Sequence, residues 1–419
     1  MSKTRFSVVI AVSVCVLVAS LGGARLVGQT VATDAPAGEV RALWVTRATL
    51  SSPDKIEQMV RAARAGGFNT LLVQVRGRGD AYFDSTLEPR ATELASRPDF
   101  DPLAEILSRA KPAGLSVHAW INANLVSSAV ELPASRQHVI YRHPDWLMVP
   151  RELAADMAII DPRSPEYLGR LARWTRARLT EVEGLYTSPL HSAAAAHVAG
   201  IAAEIVSNYA VDGLHLDYAR FPNSEFDYSR GALQQFKQSL APYLSGAERQ
   251  RLDAQERLDP TVYANMFPER WRSFRQSRIT ALVMRVRTAV KRANPEAILS
   301  AAVLPDLATA TGSRMQDWRM WLDQSLVDVL CPMAYTEDVA VFGEQINVAR
   351  DFAGERPVWA GVGAYRLNAT ATLQHIEAAR RARAAVVVLF SYDALVSAPN
   401  STTSLTALGR AAFGAMGSQ

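Results

Sequence analysis

Eight short runs of apolar, often β-branched residues alternate along this chain with polar or glycine-containing stretches and segments of helical periodicity. They are Val40–Thr46, Thr70–Arg76, Ser116–Asn122, Gly213–Arg220, Ile298–Pro305, Val327–Tyr335, Pro357–Tyr365 and Ala384–Asp393. This is the pattern of a parallel sheet covered by helices, and eight is the number of strands that closes such a sheet without an edge. The predicted fold class is α/β, a (β/α)₈ TIM barrel. An open doubly wound sheet has the same rhythm, but no GxGxxG phosphate turn follows the first run, where a dinucleotide-binding sheet needs one.

Helix punctuation agrees with this reading. Ser52-Pro53, Asp101-Pro102 and Ser164-Pro165-Glu166 each put a capping residue before a proline at the first helical position, and Gly66-Gly67 and Gly114 supply stops before the next strand. Two connections, Ala123–Asp212 and Phe221–Ala297, are far longer than usual for such units. They follow the third and fourth runs, on the barrel face that carries chemistry. The first, with His143-Pro144-Asp145-Trp146 and the Asp161-Pro162 turn, is expected to wall a cleft and grip an extended glycan.

Residues 1–24 place Lys3 and Arg5 before an apolar stretch that ends in small residues, the order of a secretory signal peptide. The stretch is marginal for spanning a bilayer, so an uncleaved N-terminal anchor is the alternative. The stretch TVATDAPAGE at residues 30–39 is small and polar, so 25–38 are read as a linker and 39–419 as the barrel domain. The expected location is therefore periplasmic or secreted. Cys15 lies in the exported segment, which leaves Cys331 alone in the mature chain, so stability must come from a large core. The net charge of +4 is spread without basic blocks, which argues against nucleic acid as a partner. No Cys/His cluster has metal-ligand spacing, and neither a metal nor an organic cofactor is expected; the oligomeric state is open.

The ends of the runs converge on one mouth of a barrel, and they are polar and aromatic. They offer Arg47, Gln74, Arg76, Asp80, Trp120, Asn122, His215, Arg220, Asp306, Tyr335, Tyr365 and Tyr392 as candidate contacts to substrate. Sugars are bound by flat aromatic faces and by groups that pair with hydroxyls, so the expected partner is a glycan. Cleaving a glycosidic bond takes two carboxyl groups. Asp217, on the same strand parity as His215, is the first candidate; its partner is sought in Glu337 or Asp338 beyond the sixth run, with Asp306 and Asp80 as alternatives.

The stretches EVRALWVT, QVRGRGDAYF, HAWIN, DPRSPE, VDGLHLDYARFP, DWRMWLDQSLVDVLCPMAY and GVGAY, in this order across about residues 39 to 395, resemble the glycosyl-hydrolase-like ten family. The resemblance implies a (β/α)₈ barrel and a glycoside hydrolase acting on peptidoglycan glycan strands. Family members often double the aspartate after the strand-four histidine, where this chain has Asp217 then Tyr218. They often follow the strand-three asparagine with proline, here Ala123, and carry Pro-Gln on strand six, here Pro332-Met333. Asp212-Gly213 with Asp217 and Met333-Ala334-Tyr335 are also similar to family-eighteen chitinase motifs, but the catalytic glutamate position falls on Ala219. Other readings of the mouth are a non-catalytic glycan-binding scaffold and a hydrolase of environmental polysaccharide.

Overall fold

The computed structural model describes residues 39–397 and 405–414. The signal segment and the linker expected at residues 1–38 lie outside the described residues. Among those described, no helix is long and apolar enough to cross a membrane.

Ten strands occur among the described residues: β1 Val40–Val45, β2 Thr70–Arg76, β3 Ser116–Asn122, β4 Leu125–Ser127, β5 Leu185–Tyr186, β6 Gly213–Asp217, β7 Ile298–Val303, β8 Val329–Ala334, β9 Trp359–Val362 and β10 Val386–Leu389. Eight of them close into a parallel barrel in the order β1-β10-β9-β8-β7-β6-β3-β2. The expected TIM barrel is thus the observed fold. The second and third runs match their strands residue for residue, whereas the fourth stops at Asp217 because Tyr218 turns into the left-handed region at φ 51°. Ser52 and Asp101 cap their helices by accepting from the Lys55 and Ala104 N–H groups, and Gly67 and Gly114 take φ of 74° and 70°. Gly66 itself is not left-handed.

The two long connections both become helical excursions. The second carries helices Arg230–Leu240, Gly246–Glu256, Val262–Met266 and Pro268–Ala293. The first adds the antiparallel pair β4–β5, in which Leu125 faces Tyr186. Sequence periodicity does not announce so short a pair. Its register depends on Gly184, where a Cβ would lie 2.1 Å from the Ser127 carbonyl oxygen. Around this pair the excursion builds its own small core from Val126, Ile140, Leu147, Val149, Leu171 and Leu185. Trp146 belongs to that core: it is buried and stacks on His143 with ring centroids 4.0 Å apart. Trp146 thus holds the excursion together, and it is Leu125 and the segment from Ser127 to His138 of the same connection that line the spaces at the mouth.

Candidate active site

The barrel interior is filled in layers beneath the mouth. Low in it, His118 meets Trp359 edge to face at 5.1 Å. Above, Trp44 donates its indole N–H to His215 Nε2 at 3.1 Å, and His215 Nδ1 pairs with the Ser300 hydroxyl at 2.9 Å. With Nε2 accepting, the imidazole proton sits on Nδ1. Burial pushes the His215 pKa down to about 3, so the ring is neutral and serves as the floor of the site. This corrects the expectation of a substrate contact: His215 is fully buried and takes no place in the pocket lining.

Above the floor lies a pocket of about 500 Å³ at the carboxyl ends of the strands. Trp44, Trp120, Tyr218, Tyr335 and Phe390 give it aromatic walls. Thr46, Gln74, Asn122 and Asp217 are its uncharged and acidic polar groups, and Arg47, Arg78, Arg220 and Arg314 surround them. Trp120 is locked by donating its indole N–H to Asn122 Oδ1 at 3.0 Å, while Asn122 Nδ2 donates to the Gly77 carbonyl at 2.9 Å.

Asp217 ends β6 opposite Asn122 in the β3–β6 pairing. Only 6% of its surface is exposed, and one carboxyl oxygen accepts the Tyr218 N–H at 2.6 Å. The backbone there is clamped, since Ala123 N–H donates to the Asp217 carbonyl and Asn124 N–H to the Tyr218 carbonyl. Burial raises the Asp217 pKa to about 6 in spite of the opposing pull of Arg220. Tyr218, in its left-handed conformation, lays its ring 4.2 Å under the Arg220 guanidinium.

A second carboxyl group, which the sequence does not single out, enters from the segment just before β5. Glu183 lies 3.4 Å from Arg220 and 3.9 Å from Arg314, and accepts the Tyr186 hydroxyl at 2.7 Å. Burial opposes its charge, yet Arg220, Tyr186 and Arg314 together hold its carboxyl below the ordinary glutamate value. The two carboxyl groups that share Arg220 are thus pushed in opposite directions. The one sequence signal for Glu183 is the glycine that follows it, Gly184, which the close approach of β4 requires.

The carboxyl groups nominated as partners of Asp217 do other work. Asp338 caps helix Val339–Ala353 by accepting the Ala340 and Val341 N–H groups, and Asp306 caps Leu307–Gly312 through the Thr309 N–H. Glu337 is 70% exposed and sits 3.8 Å from Arg366. None of these three lines the pocket. Asp80 turns instead to a neighbouring cleft, where it accepts the Arg78 N–H and faces Arg47 at 3.6 Å.

Three further candidates are placed differently from expectation. Arg76 is buried beneath the mouth in a two-point contact with Glu88, its Nη2 2.6 Å and its Nε 2.8 Å from the carboxylate, and donates to the Asn122 and Ala123 carbonyls. A guanidinium so engaged supports the end of β3 and is not offered to a ligand. Tyr392 is buried at the start of helix Tyr392–Ser397, outside the lining. Tyr365 is half exposed at the rim, edge to face with Tyr335 at 6.1 Å. Among the described residues no group of His, Cys, Asp and Glu side chains is arranged to hold a metal ion.

Relatives share this architecture. Glycosyl hydrolase DigH of Escherichia coli O6:H1 is 24% identical over 316 residues, 67% of this chain and 57% of that protein. Glycosyl hydrolase YngK of Bacillus subtilis is 21% identical over 369 residues, 79% of this chain and 61% of that protein. The chain therefore spans less than two thirds of the length of these relatives. Among solved structures, the glycoside hydrolase domain of PgaB (BpsB) from Bordetella bronchiseptica superposes with a TM-score of 0.61 at 14% identity, covering 91% of this chain and 100% of that one. Such a likeness establishes the shared barrel. The sequence model described as Glycosyl hydrolase-like 10 matches residues 39–366, and the chain belongs to that family.

Proposed function

We propose that this protein hydrolyses glycosidic bonds in a bacterial envelope glycan, the glycan strands of peptidoglycan, with Asp217 as the group that protonates the leaving oxygen. The observation that carries the reading is that Arg220, in ion-pair contact with Glu183, also acts at longer range on Asp217, whose burial pushes it the other way. One carboxyl titrates near 6 while the other is held ionised. Two carboxyl groups whose environments separate their pKa values are what acid-assisted glycoside cleavage uses. Glu183 is then the charged partner, stabilising positive charge that develops on the sugar ring or directing water.

The aromatic walls supply faces for sugar rings. Four arginines around one lining carboxyl suit a glycan that carries carboxylates of its own, as the muramic acid units of peptidoglycan do once their peptides are removed. The order of charged, apolar and small residues at the N-terminus supports export to the periplasm or beyond, where such a strand is met.

One observation favours a second reading, a glycan-binding barrel without turnover: Asp217 is the single carboxyl among the described residues that line the pocket. Incubating the protein with purified sacculi, intact and stripped of peptides, and analysing the soluble products by mass spectrometry separates the two. New reducing ends that appear with the wild type and disappear with Asp217→Asn support hydrolysis. Binding of the stripped strands with no product from either protein supports the scaffold.

A further inference from the structure

We propose that the polar cleft beside the central pocket is a second glycan-binding site, which holds the sugar units of a strand that extend past those at Asp217. The proposal rests on the glycan reading of the central pocket. The cleft has a volume of about 610 Å³ and lies between the segment after β2 and the segment after β4. Arg47 and Arg78 line both it and the central pocket, so the two spaces adjoin. Pockets of about 300–1,000 Å³ each take a drug-sized ligand, and two adjoining ones of this size exceed what a single sugar unit fills.

The saddle between them is built for close approach. A Cβ at Gly77 would lie 3.0 Å from Arg47 Cδ, and one at Gly79, whose φ is 71°, 2.8 Å from His138 Nε2. His138 Nδ1 accepts the Ile140 N–H, so Nε2 carries the proton and donates to the Arg78 carbonyl at 2.7 Å. The floor under Arg78 is thereby fixed from both walls. Arg78 itself spends one contact on the Glu183 carbonyl at 3.3 Å and has no carboxylate within ion-pair distance among the described residues. The Arg47 guanidinium, which faces Asp80 at 3.6 Å, keeps 28% of its side chain exposed at the same junction. Arg78 thus stands there with donor capacity to spare, beside a second cation.

The lining chemistry fits sugar hydroxyls and acetamido groups. Ser128 and Ser135 each accept a nearby backbone N–H and keep their own O–H to donate, and Asp80, Glu93 and Arg90 add acceptors and a donor. No Phe, Tyr or Trp among the described residues lines the cleft, in contrast to the central pocket. A strand is therefore gripped by stacking at the point of cleavage and by hydrogen bonds along its continuation. Such a layout favours cutting within strands over removal of terminal units.

Calorimetric titration of the Asp217→Asn protein with a peptide-free disaccharide and a peptide-free octasaccharide prepared from peptidoglycan strands tests this. The octasaccharide is expected to bind at least about tenfold more tightly. Thr92→Trp and Ala134→Trp, exposed positions on opposite walls, are each added to Asp217→Asn to fill the cleft. Loss of the tenfold gain in either, with the disaccharide affinity and thermal midpoint unchanged, supports the second site. Equal affinity for both lengths, or a gain retained in both tryptophan variants, overturns it and leaves the central site standing. Binding of neither length overturns the glycan reading itself and the second site with it.

Discussion

Arg220 approaches Glu183 at 3.4 Å, and this contact ties a carboxylate of the first excursion to the end of β6, three residues beyond Asp217. The arginine is buried and also covers the Tyr218 ring, so it is fixed by contacts on two sides. Its charge lowers the pKa of both carboxyl groups, while the charge of Glu183 raises that of Asp217.

Glu183→Gln is therefore expected to shift the titration of Asp217 downward, because a charge that opposed its ionisation is gone and Arg220 is left to act on Asp217 alone. The alkaline limb of kcat/KM against pH should move to lower pH, and the maximal rate should fall. A limb that stays in place would separate Glu183 from the titrating group and make it a structural partner of Arg220.

Much of the barrel was legible in the sequence, and the reason is physical. Parallel strands buried on both faces read as continuous apolar runs, so β2 and β3 could be bounded to the residue. The mouth was legible only in part. Asp217, Trp120, Asn122 and Arg220 announce themselves at strand ends, but Glu183 arrives from the first excursion and Arg314 from the connection between β7 and β8, segments whose packing leaves no period. Asp306 and Asp338 misled because an aspartate just past a strand is equally the residue that caps the following helix. Arg76 has the sequence parity of Gln74, but the register shifts between them, so that Gln74 pairs with Trp120 and Arg76 with Ile121, and the buried Glu88 holds its guanidinium beneath the mouth.

The Arg76–Glu88 pair is dry, with both side chains 1% exposed. Burial penalises the charge of Glu88, but Arg76 and His197 outweigh that and hold its carboxyl at about 2. Removing one partner strands the other, so Arg76→Met or Glu88→Gln is expected to cost about 3–5 kcal/mol, read as a lowered denaturation midpoint. The double variant Arg76→Met/Glu88→Gln should cost less than the sum of the two. Because the folded pKa lies below the ordinary glutamate value of 4.5, the contribution of the pair is present above that pH and lost as pH falls toward 2.

Gly79→Ala and Gly114→Ala separate backbone strain from crowding. Both glycines have φ near 70°, at 71° and 70°. A Cβ at Gly114 meets nothing closer than 4.0 Å, whereas one at Gly79 would press on His138 at 2.8 Å. Strain alone costs about 1–3 kcal/mol, so both variants should melt lower, Gly79→Ala by the larger margin. It should also weaken binding of long strands relative to short ones. Equal losses would mean that His138 swings aside freely.

Asp217→Asn carries the most weight, because its two effects run in opposite directions. If Asp217 donates the proton, the wild-type rate should be highest below pH 6 and fall as pH rises through about 6, where the carboxyl ionises. The variant should lose about 10²–10⁴-fold in turnover while keeping its affinity for strands. Stability should move the other way. The folded pKa of about 6 lies above the ordinary value of 3.8, so ionising Asp217 costs the folded state progressively as pH rises between the two. Above pH 6 that cost reaches about 3 kcal/mol. The asparagine variant, which has no charge to bury, should therefore gain on the wild type in thermal midpoint from pH 4 to 6 and hold the gain at higher pH. A variant that is inactive but no more stable at pH 7 would show that the buried carboxyl is already compensated in the folded protein, and the raised pKa behind its role as acid would have to be abandoned.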